Sequence, residues 1–224
     1  MPEQRSFKYY NLLTIAFIVC LITANMGATK LCHFGSLTLP GGILVFPLLY
    51  ILNDILTEVY GFSASRRVIW LALFSNLFLT LVLWAVVNLP PAAHHSNHEA
   101  FAGVFSLTPK IFIASLTSYF IGELLNASAI STLKVMQSGK NFALRAIIST
   151  CVGAFIETLM FAVIAFSSFI PAYQLMMMIF TLTTLKVLYE LIALPFTVKL
   201  TQFLKEAEQM DSYEKPSLRG ILGW

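Results

Sequence analysis

An asparagine and two carboxylates lie close together in an otherwise apolar stretch of this sequence. The segment 50–67 reads YILNDILTEVYGFSASRR and contains Asn53, Asp54 and Glu58 before a pair of arginines. Asp54 and Glu58 are four residues apart, so on a helix they share one face, one turn from each other. Like charges at this spacing repel, and both are costly at the edge of a hydrocarbon layer. We therefore expect these side chains to face a polar cavity, a counter-charge or a ligand.

Further ionisable and amide side chains recur in the later apolar stretches: Glu123, Asn126, Glu157, Lys186, Tyr189 and Glu190. The first two are three residues apart, which places them on one helix face. An isolated glutamate in the middle of a membrane must be neutral, paired or directed at a ligand. Lys186 and Glu190 are four apart, and an internal ion pair that locks the helices together is nearly as good an interpretation of Lys186 as a role in binding.

Carboxylates dominate this set, and buried ionisable residues in membrane proteins mark pathways for substrates or protons. A carboxylate can accept paired N–H donors from a planar heterocycle, or hold an organic cation. Aromatic side chains that could form stacking walls occur nearby, among them Tyr50, Tyr60, Tyr119 and Tyr189. The residues by themselves therefore predict a transporter of a small, polar, nitrogen-rich solute.

The composition is that of an integral membrane protein. Of the 224 residues 58% are hydrophobic and 11% are charged, against roughly 25% charged in an ordinary soluble domain. The mean hydropathy is +0.78, and the apolar runs reach the roughly 20 residues that a membrane helix needs. We expect an all-α polytopic protein that forms a single transmembrane domain over 1–224 and does not bind nucleic acid.

Six spans are predicted, at about 9–29, 43–59, 68–89, 111–133, 146–169 and 173–198, followed by a charged, solvated tail over 199–224. The first run is too long for a typical signal-peptide core and has no clear cleavage site, so an uncleaved span is expected. Pro40-Gly41-Gly42 and Pro47 predict a broken start and a kink in the second span.

The basic residues fall mainly on one side of these spans. That side has Arg5, Lys8, Arg66, Arg67, Lys134, Lys140, Arg145, Lys199, Lys205, Lys215 and Arg219, and the other has only Lys30 and Lys110. The positive-inside rule then predicts that both termini are cytoplasmic, which requires an even number of spans.

Two further patterns carry no assignment. His94, His95 and His98 form an HHxxH cluster that could bind a metal, but a solvated loop is the more frequent explanation, so no metal or cofactor is expected. The three cysteines, Cys20, Cys32 and Cys151, fit no disulfide or metal spacing and are interpreted as packing residues.

Four stretches of the sequence resemble the queuosine precursor transporter family, a bacterial inner-membrane group within the wider vitamin-uptake transporters. They are ILNDILTEVYG with the following RR (51–67), IGELLNASAISTLKV (121–135), LRAIISTCVG (144–153) and LKVLYELIALP (185–195). The resemblance implies a six-helix importer, not an enzyme, for 7-deazaguanines such as preQ0 and preQ1. The sequence departs from the family pattern after Gly153, where Ala154 replaces an acid and Glu157 replaces an aspartate.

The resemblance also gives the buried polar residues separate roles. Those expected nearest the substrate are Glu123, Asn126, Glu157 and Glu190. Those expected to form a cytoplasmic gate are Asn53, Asp54 and Glu58. Alternatively, these three residues are expected to pair with Arg66, Arg67 or Lys186.

Other functions remain as alternatives. The chain could be a substrate-binding component, for another vitamin or a purine-like solute, that needs a separate energising module. An intramembrane enzyme is less favoured because no H-E-x-x-H or G-x-S-x-G motif is present, and a structural protein would not need so many buried acids. Proton symport, facilitated diffusion and a partner module are all open as energy sources, and so are the oligomeric state and the preferred deazaguanine.

Overall fold

A computed structural model describes residues 7–34, 37–92, 97–105, 109–168 and 171–216. The helices in these ranges are α1 (Tyr10–Ala28), α2 (Phe46–Tyr60), α3 (Phe62–Val87), α4 (His98–Phe105), α5 (Pro109–Met136), α6 (Phe142–Phe166) and α7 (Ala172–Glu208). An antiparallel hairpin, β1 (Leu31–Phe34) and β2 (Leu37–Pro40), and a 3₁₀ turn (Gly41–Leu44) connect α1 to α2. The structure is therefore helical, with one short hairpin that the sequence interpretation did not anticipate.

Five helices in the described ranges are long and apolar enough to cross a membrane: α1, α3, α5, α6 and α7. Their outward surfaces expose large apolar side chains such as Phe78, Trp84 and Ile192. This combination confirms the expected class, a multi-pass helical membrane protein. The sixth span and the orientation of the termini stay predictions.

The central helix is α2, which packs against α1, α3, α5, α6 and α7. All but three of its 15 residues are buried. At 1.5 Å per residue α2 is about 22 Å long, shorter than a hydrocarbon layer of roughly 30 Å. Pro47 lies in its first turn, where no helical hydrogen bond is lost, so the expected kink at this residue is wrong.

Two helix boundaries differ from the expected spans. The chain turns at Gly61, whose φ of +91° favours glycine, so α3 begins at Phe62 rather than near residue 68. Helix α7 continues to Glu208 with Pro195 inside it. Residues 199–208, expected in a solvated tail, are therefore helical, which fits their content of Lys, Gln, Leu and Glu.

Several segments that contain basic residues meet at one end of the bundle. The backbone N–H groups of Lys8 and Tyr9 donate to Glu208 at 3.1 and 2.6 Å. The Gly61 turn and the α5–α6 loop, through Gly139, both contact residues just after α7. We call this the basic end of the protein.

Two glycines lie where α5 and α6 pack tightly against each other. A Cβ atom on Gly153 would lie 2.9 Å from the Gly122 carbonyl oxygen and 2.9 Å from Asn126 Cβ, and one on Gly122 would lie 2.6 Å from Glu157 Cβ. Small residues allow membrane helices to approach in this way. The glycines therefore determine how closely Asn126 and Glu157 lie in the interior.

Replacing Gly153 by Ala is expected to push α6 away from α5. Overpacking of this kind costs about 1–3 kcal/mol, which should lower the midpoint of thermal unfolding of the detergent-solubilised protein. Gly103→Ala is the matched control, because an added Cβ there meets nothing within 4 Å. Equal unfolding midpoints for the two variants would contradict a tight α5–α6 contact.

Candidate functional site

Four helices place a group of polar side chains in the interior of the bundle. We call it the polar core: Tyr50, Asn53, Asp54, Glu123, Asn126, Glu157, Lys186 and Glu190. Every member is at most 8% exposed. Helix α2 provides three of them, and α5, α6 and α7 provide the others. The structure thus brings together all of the predicted site residues except Glu58 and Tyr189, which packs at the edge of the hydrophobic core.

Glu157 is held by two partners from other helices. The ammonium of Lys186 lies 2.8 Å from Glu157 Oε2, and the Tyr50 hydroxyl donates to the same oxygen. Lys186 also lies 5.4 Å from the centre of the Tyr50 ring and 5.7 Å from that of Phe46. The counter-charge of Lys186 is therefore Glu157 on α6, and not its helical neighbour Glu190.

Two amide–carboxylate pairs join α2 to α5. Asn53 Nδ2 donates to Glu123 Oε2 at 2.6 Å and to the Glu123 carbonyl at 3.0 Å. Asn126 Nδ2 donates to Asp54 Oδ1 at 2.6 Å. The expected shared face of Glu123 and Asn126 is thus directed at α2, and each residue meets a different partner there.

Four acceptor atoms of the polar core have no hydrogen-bond partner in the described part of the chain. They are both carboxylate oxygens of Glu190, Asp54 Oδ2 and Asn126 Oδ1. Buried polar atoms normally find a partner, since leaving one unpaired costs free energy. This part of the polar core therefore has an excess of acceptors and is suited to a ligand that brings N–H or O–H donors.

Glu58 belongs to a separate charge cluster at the basic end, made up of Glu58, Lys134, Arg145, Lys205 and Asp211. Arg145 Nη2 lies 2.8 Å from both Glu58 oxygens, and Lys205 Nζ lies 2.6 Å from Oε1. Lys134 donates to the Glu58 carbonyl at 2.5 Å. The expected pairing of Glu58 with Arg66, Arg67 or Lys186 is wrong, because the last turn of α5, the first turn of α6 and the end of α7 bring closer cations.

Residues 209–216, which we call the C-terminal strap, cover this cluster. The Ser212 N–H donates to the Val59 carbonyl at 3.2 Å, and the Ser63 N–H donates to Glu214 Oε2 at 2.7 Å. Asp211 Oδ1 lies 2.5 Å from Lys134 Nζ and 2.8 Å from Lys205 Nζ. Partial burial would raise the pKa of Asp211, but hydrogen bonds and charge from the two lysines together lower it.

A cavity of about 310 Å³ opens beside the charge cluster. Its lining comes from the α5–α6 loop, the start of α6 and the last turns of α7, together with Glu58.

The cations of the charge cluster, Lys134, Arg145 and Lys205, were not predicted as site residues, because the sequence places them in loops and a tail. Only their position at the edges of apolar runs could have indicated a buried acid as their partner.

No group of three or more His, Cys, Asp or Glu residues in the described ranges could hold a metal ion. Of the HHxxH pattern, His98 begins α4, whereas His94 and His95 lie outside the described residues.

Apolar helices around a buried, acceptor-rich polar core define a membrane transport protein rather than a soluble enzyme. Residues 40–200 match the model of the family described as "Putative vitamin uptake transporter". Since this match spans more than half of the chain, the protein belongs to that family. The expected class, a transporter and not an enzyme, follows from this membership.

The chain is also similar to two proteins called "Probable queuosine precursor transporter". It is 24% identical over 189 residues to the one from Bacillus subtilis (strain 168), covering 84% of this chain and 82% of that protein. It is 25% identical over 158 residues to the one from Haemophilus influenzae, covering 68% of this chain and 61% of that protein. No solved structure matches the chain.

Replacing Glu58 by Gln is expected to destabilise the protein by about 3–5 kcal/mol, because three cations would lose a buried counter-charge. The free energy of unfolding in detergent measures this effect. The matched control is Glu206→Gln, since Glu206 is exposed near the same end of α7. Equal stability of the two variants would show that Glu58 does not hold the basic end together.

The strap should be released when Asp211 loses its charge. A carboxylate with a lowered pKa stabilises the folded state above its ordinary pKa of about 4, and this contribution is lost as the pH falls through the lowered value. Asp211→Asn should mimic that loss at neutral pH and accelerate hydrogen exchange at the Ser212 amide. Unchanged exchange, compared with the wild type and Glu206→Gln, would contradict the proposed contact.

Proposed function

We propose that the protein imports queuosine precursors, 7-deazaguanines such as preQ0 and preQ1, across the bacterial inner membrane, with both termini in the cytoplasm. The observation that supports this most directly is the excess of buried acceptors around Glu190, Asp54 and Asn126. The names of the two relatives point to the same class of substrate.

A 7-deazaguanine has donors that match these acceptors. It keeps the N1–H and the exocyclic amine of guanine, which can donate side by side to one carboxylate. Both oxygens of Glu190 lack a partner among the described residues, so this carboxylate can accept such a pair without breaking an existing bond. Asn126 offers one more acceptor through Oδ1, and Tyr50 and Phe46 supply aromatic rings beside Lys186.

The other carboxylates of the polar core would act in different ways. Glu157 is already neutralised by Lys186, and Glu123 accepts from Asn53. These two would shape the site and contact the substrate after their present bonds rearrange. Glu58 and its cations would close the cytoplasmic end, which corresponds to the gate expected from the sequence but with different partners.

The first experiment is a thermal-shift binding assay on the purified protein with preQ0, preQ1, queuine, guanine and biotin. We expect stabilisation by the deazaguanines and none by biotin. Because Glu190→Gln removes the charge that accepts two N–H donors, it should weaken binding roughly 10- to 100-fold, as expected for a loss of about 1.5–3 kcal/mol.

The exposed Glu206→Gln variant is the control and should bind as the wild type does. Stabilisation by biotin alone would overturn the proposed substrate class. If the wild-type protein binds deazaguanines and Glu190→Gln binds them with the same affinity, the base must instead bind at another part of the polar core.

A further inference from the structure

We propose that Asp54 and Glu190 share one bound proton, and that this proton crosses the membrane together with the substrate. Only the second part of this proposal, the movement of the proton with the substrate, rests on the proposed function. The bound proton itself is a property of the substrate-free protein and can be measured without any ligand.

Asp54 lies on α2 and Glu190 on α7, and these two helices pack against each other. Asp54 is fully buried and Glu190 is 1% exposed. Among the charged groups around Asp54, Glu190 acts on it most strongly, ahead of Glu123 and Glu58. Two like charges cannot both stay ionised in such surroundings, and a shared proton is the usual resolution in paired carboxylates.

The pattern of hydrogen bonds points to the same two residues. Asp54 uses only Oδ1, which accepts from Asn126, while its second oxygen and both Glu190 oxygens have no donor in the described ranges. A proton placed between Asp54 Oδ2 and Glu190 would turn one acceptor into a donor. It would satisfy two of these atoms and remove one negative charge at the same time.

The surrounding charged groups are already occupied. On α7, Lys186 is paired with Glu157 of α6 at 2.8 Å, so it does not neutralise Asp54 or Glu190. On α5, Glu123 accepts from Asn53 and adds further negative charge.

In the described part of the chain, the remaining neighbours of α2 bring no cation to the pair. Helix α1 has no charged residue. One turn further along α2, Glu58 is paired with Arg145 of α6 and with Lys205. On α3, Arg66 packs over the Phe62 ring and is not among the groups that act most strongly on Asp54. A proton is therefore the counter-charge that remains for Asp54 and Glu190.

The transport step balances as follows. One H⁺ from the outer solution binds between the two carboxylates. When the substrate binds, its N–H groups donate to Glu190 and the proton stays on Asp54. Both are released to the cytoplasm, so one proton enters with each substrate molecule and no other reactant is consumed. Export of the substrate would reverse both movements.

The proton is tested first, by infrared difference spectroscopy of the substrate-free protein at neutral pH. The carbonyl stretch of a protonated carboxyl group should be present and should lose the intensity of one group in Asp54→Asn and in Glu190→Gln. Each new amide can donate to the remaining carboxylate, which therefore ionises while the fold is kept. Glu206→Gln should leave the band unchanged.

Full intensity of the band in both variants would overturn the shared proton. If one variant fails to fold, the other decides the question alone, since each removes the same proton.

The coupling is tested in proteoliposomes loaded with buffer and given preQ0 or preQ1 outside. A pH difference, acid outside, should accumulate substrate about tenfold per pH unit for one proton per substrate. In Asp54→Asn, whatever rate of uptake remains, the final accumulation should not depend on the pH difference. Transport that ignores the gradient in the wild type would overturn the coupling and leave the proposed function standing. Absence of any transport of preQ0 or preQ1 would contradict the proposed function. The infrared measurement would still decide whether Asp54 and Glu190 share a proton.

Discussion

A carboxylate buried among apolar helices must find a donor or a counter-charge, and the interior of this protein is arranged around that requirement. Among the described residues, every buried acid except Glu190 is matched, wholly or partly, by a group from another helix. Glu157 meets Lys186, Glu123 meets Asn53, and Glu58 meets Arg145. Because breaking such a pair leaves an uncompensated charge in a medium of low polarity, these contacts also determine which helix faces which.

The polar groups form two adjoining layers with different chemistry. Glu58 follows Asp54 by one turn of α2, so the charge cluster begins where the polar core ends. In the cluster the cations saturate the acids, and the C-terminal strap covers them. In the polar core three of the acceptor atoms on Asp54 and Glu190 are left without donors in the described residues. The first arrangement suits a closure, and the second suits binding.

The short central helix explains how both layers fit in one small bundle. Helix α2 follows a hairpin and a 3₁₀ turn rather than a long regular helix. Irregular backbone at membrane depth is tolerated where protein surrounds it, and interrupted helices commonly border binding sites in transporters. Nearly all of α2 is buried, and each side of the helix contacts a different neighbouring helix.

The class of the protein and its polar residues could be predicted from the sequence alone. Long apolar runs and scarce charges follow directly from the bilayer as solvent, and residues three or four apart on a helix share a face whatever surrounds them. The grouping of Glu123 with Asn126 and the placement of Asp54 and Glu190 inside the apolar helices are local inferences of this kind. The turn at Gly61 and the long α7 needed the structure, because helix ends depend on packing as well as propensity.

Only the tertiary structure decided which polar residue meets which. Lys186 pairs with Glu157, 29 residues away, and Lys205 pairs with Glu58, 147 residues away. No spacing rule reaches across such separations, since the rotation and tilt of each helix depend on its contacts with all the others. The sequence therefore determined that buried acids need partners, and the packing of the helices determined which acids obtained them and which were left with acceptors to offer.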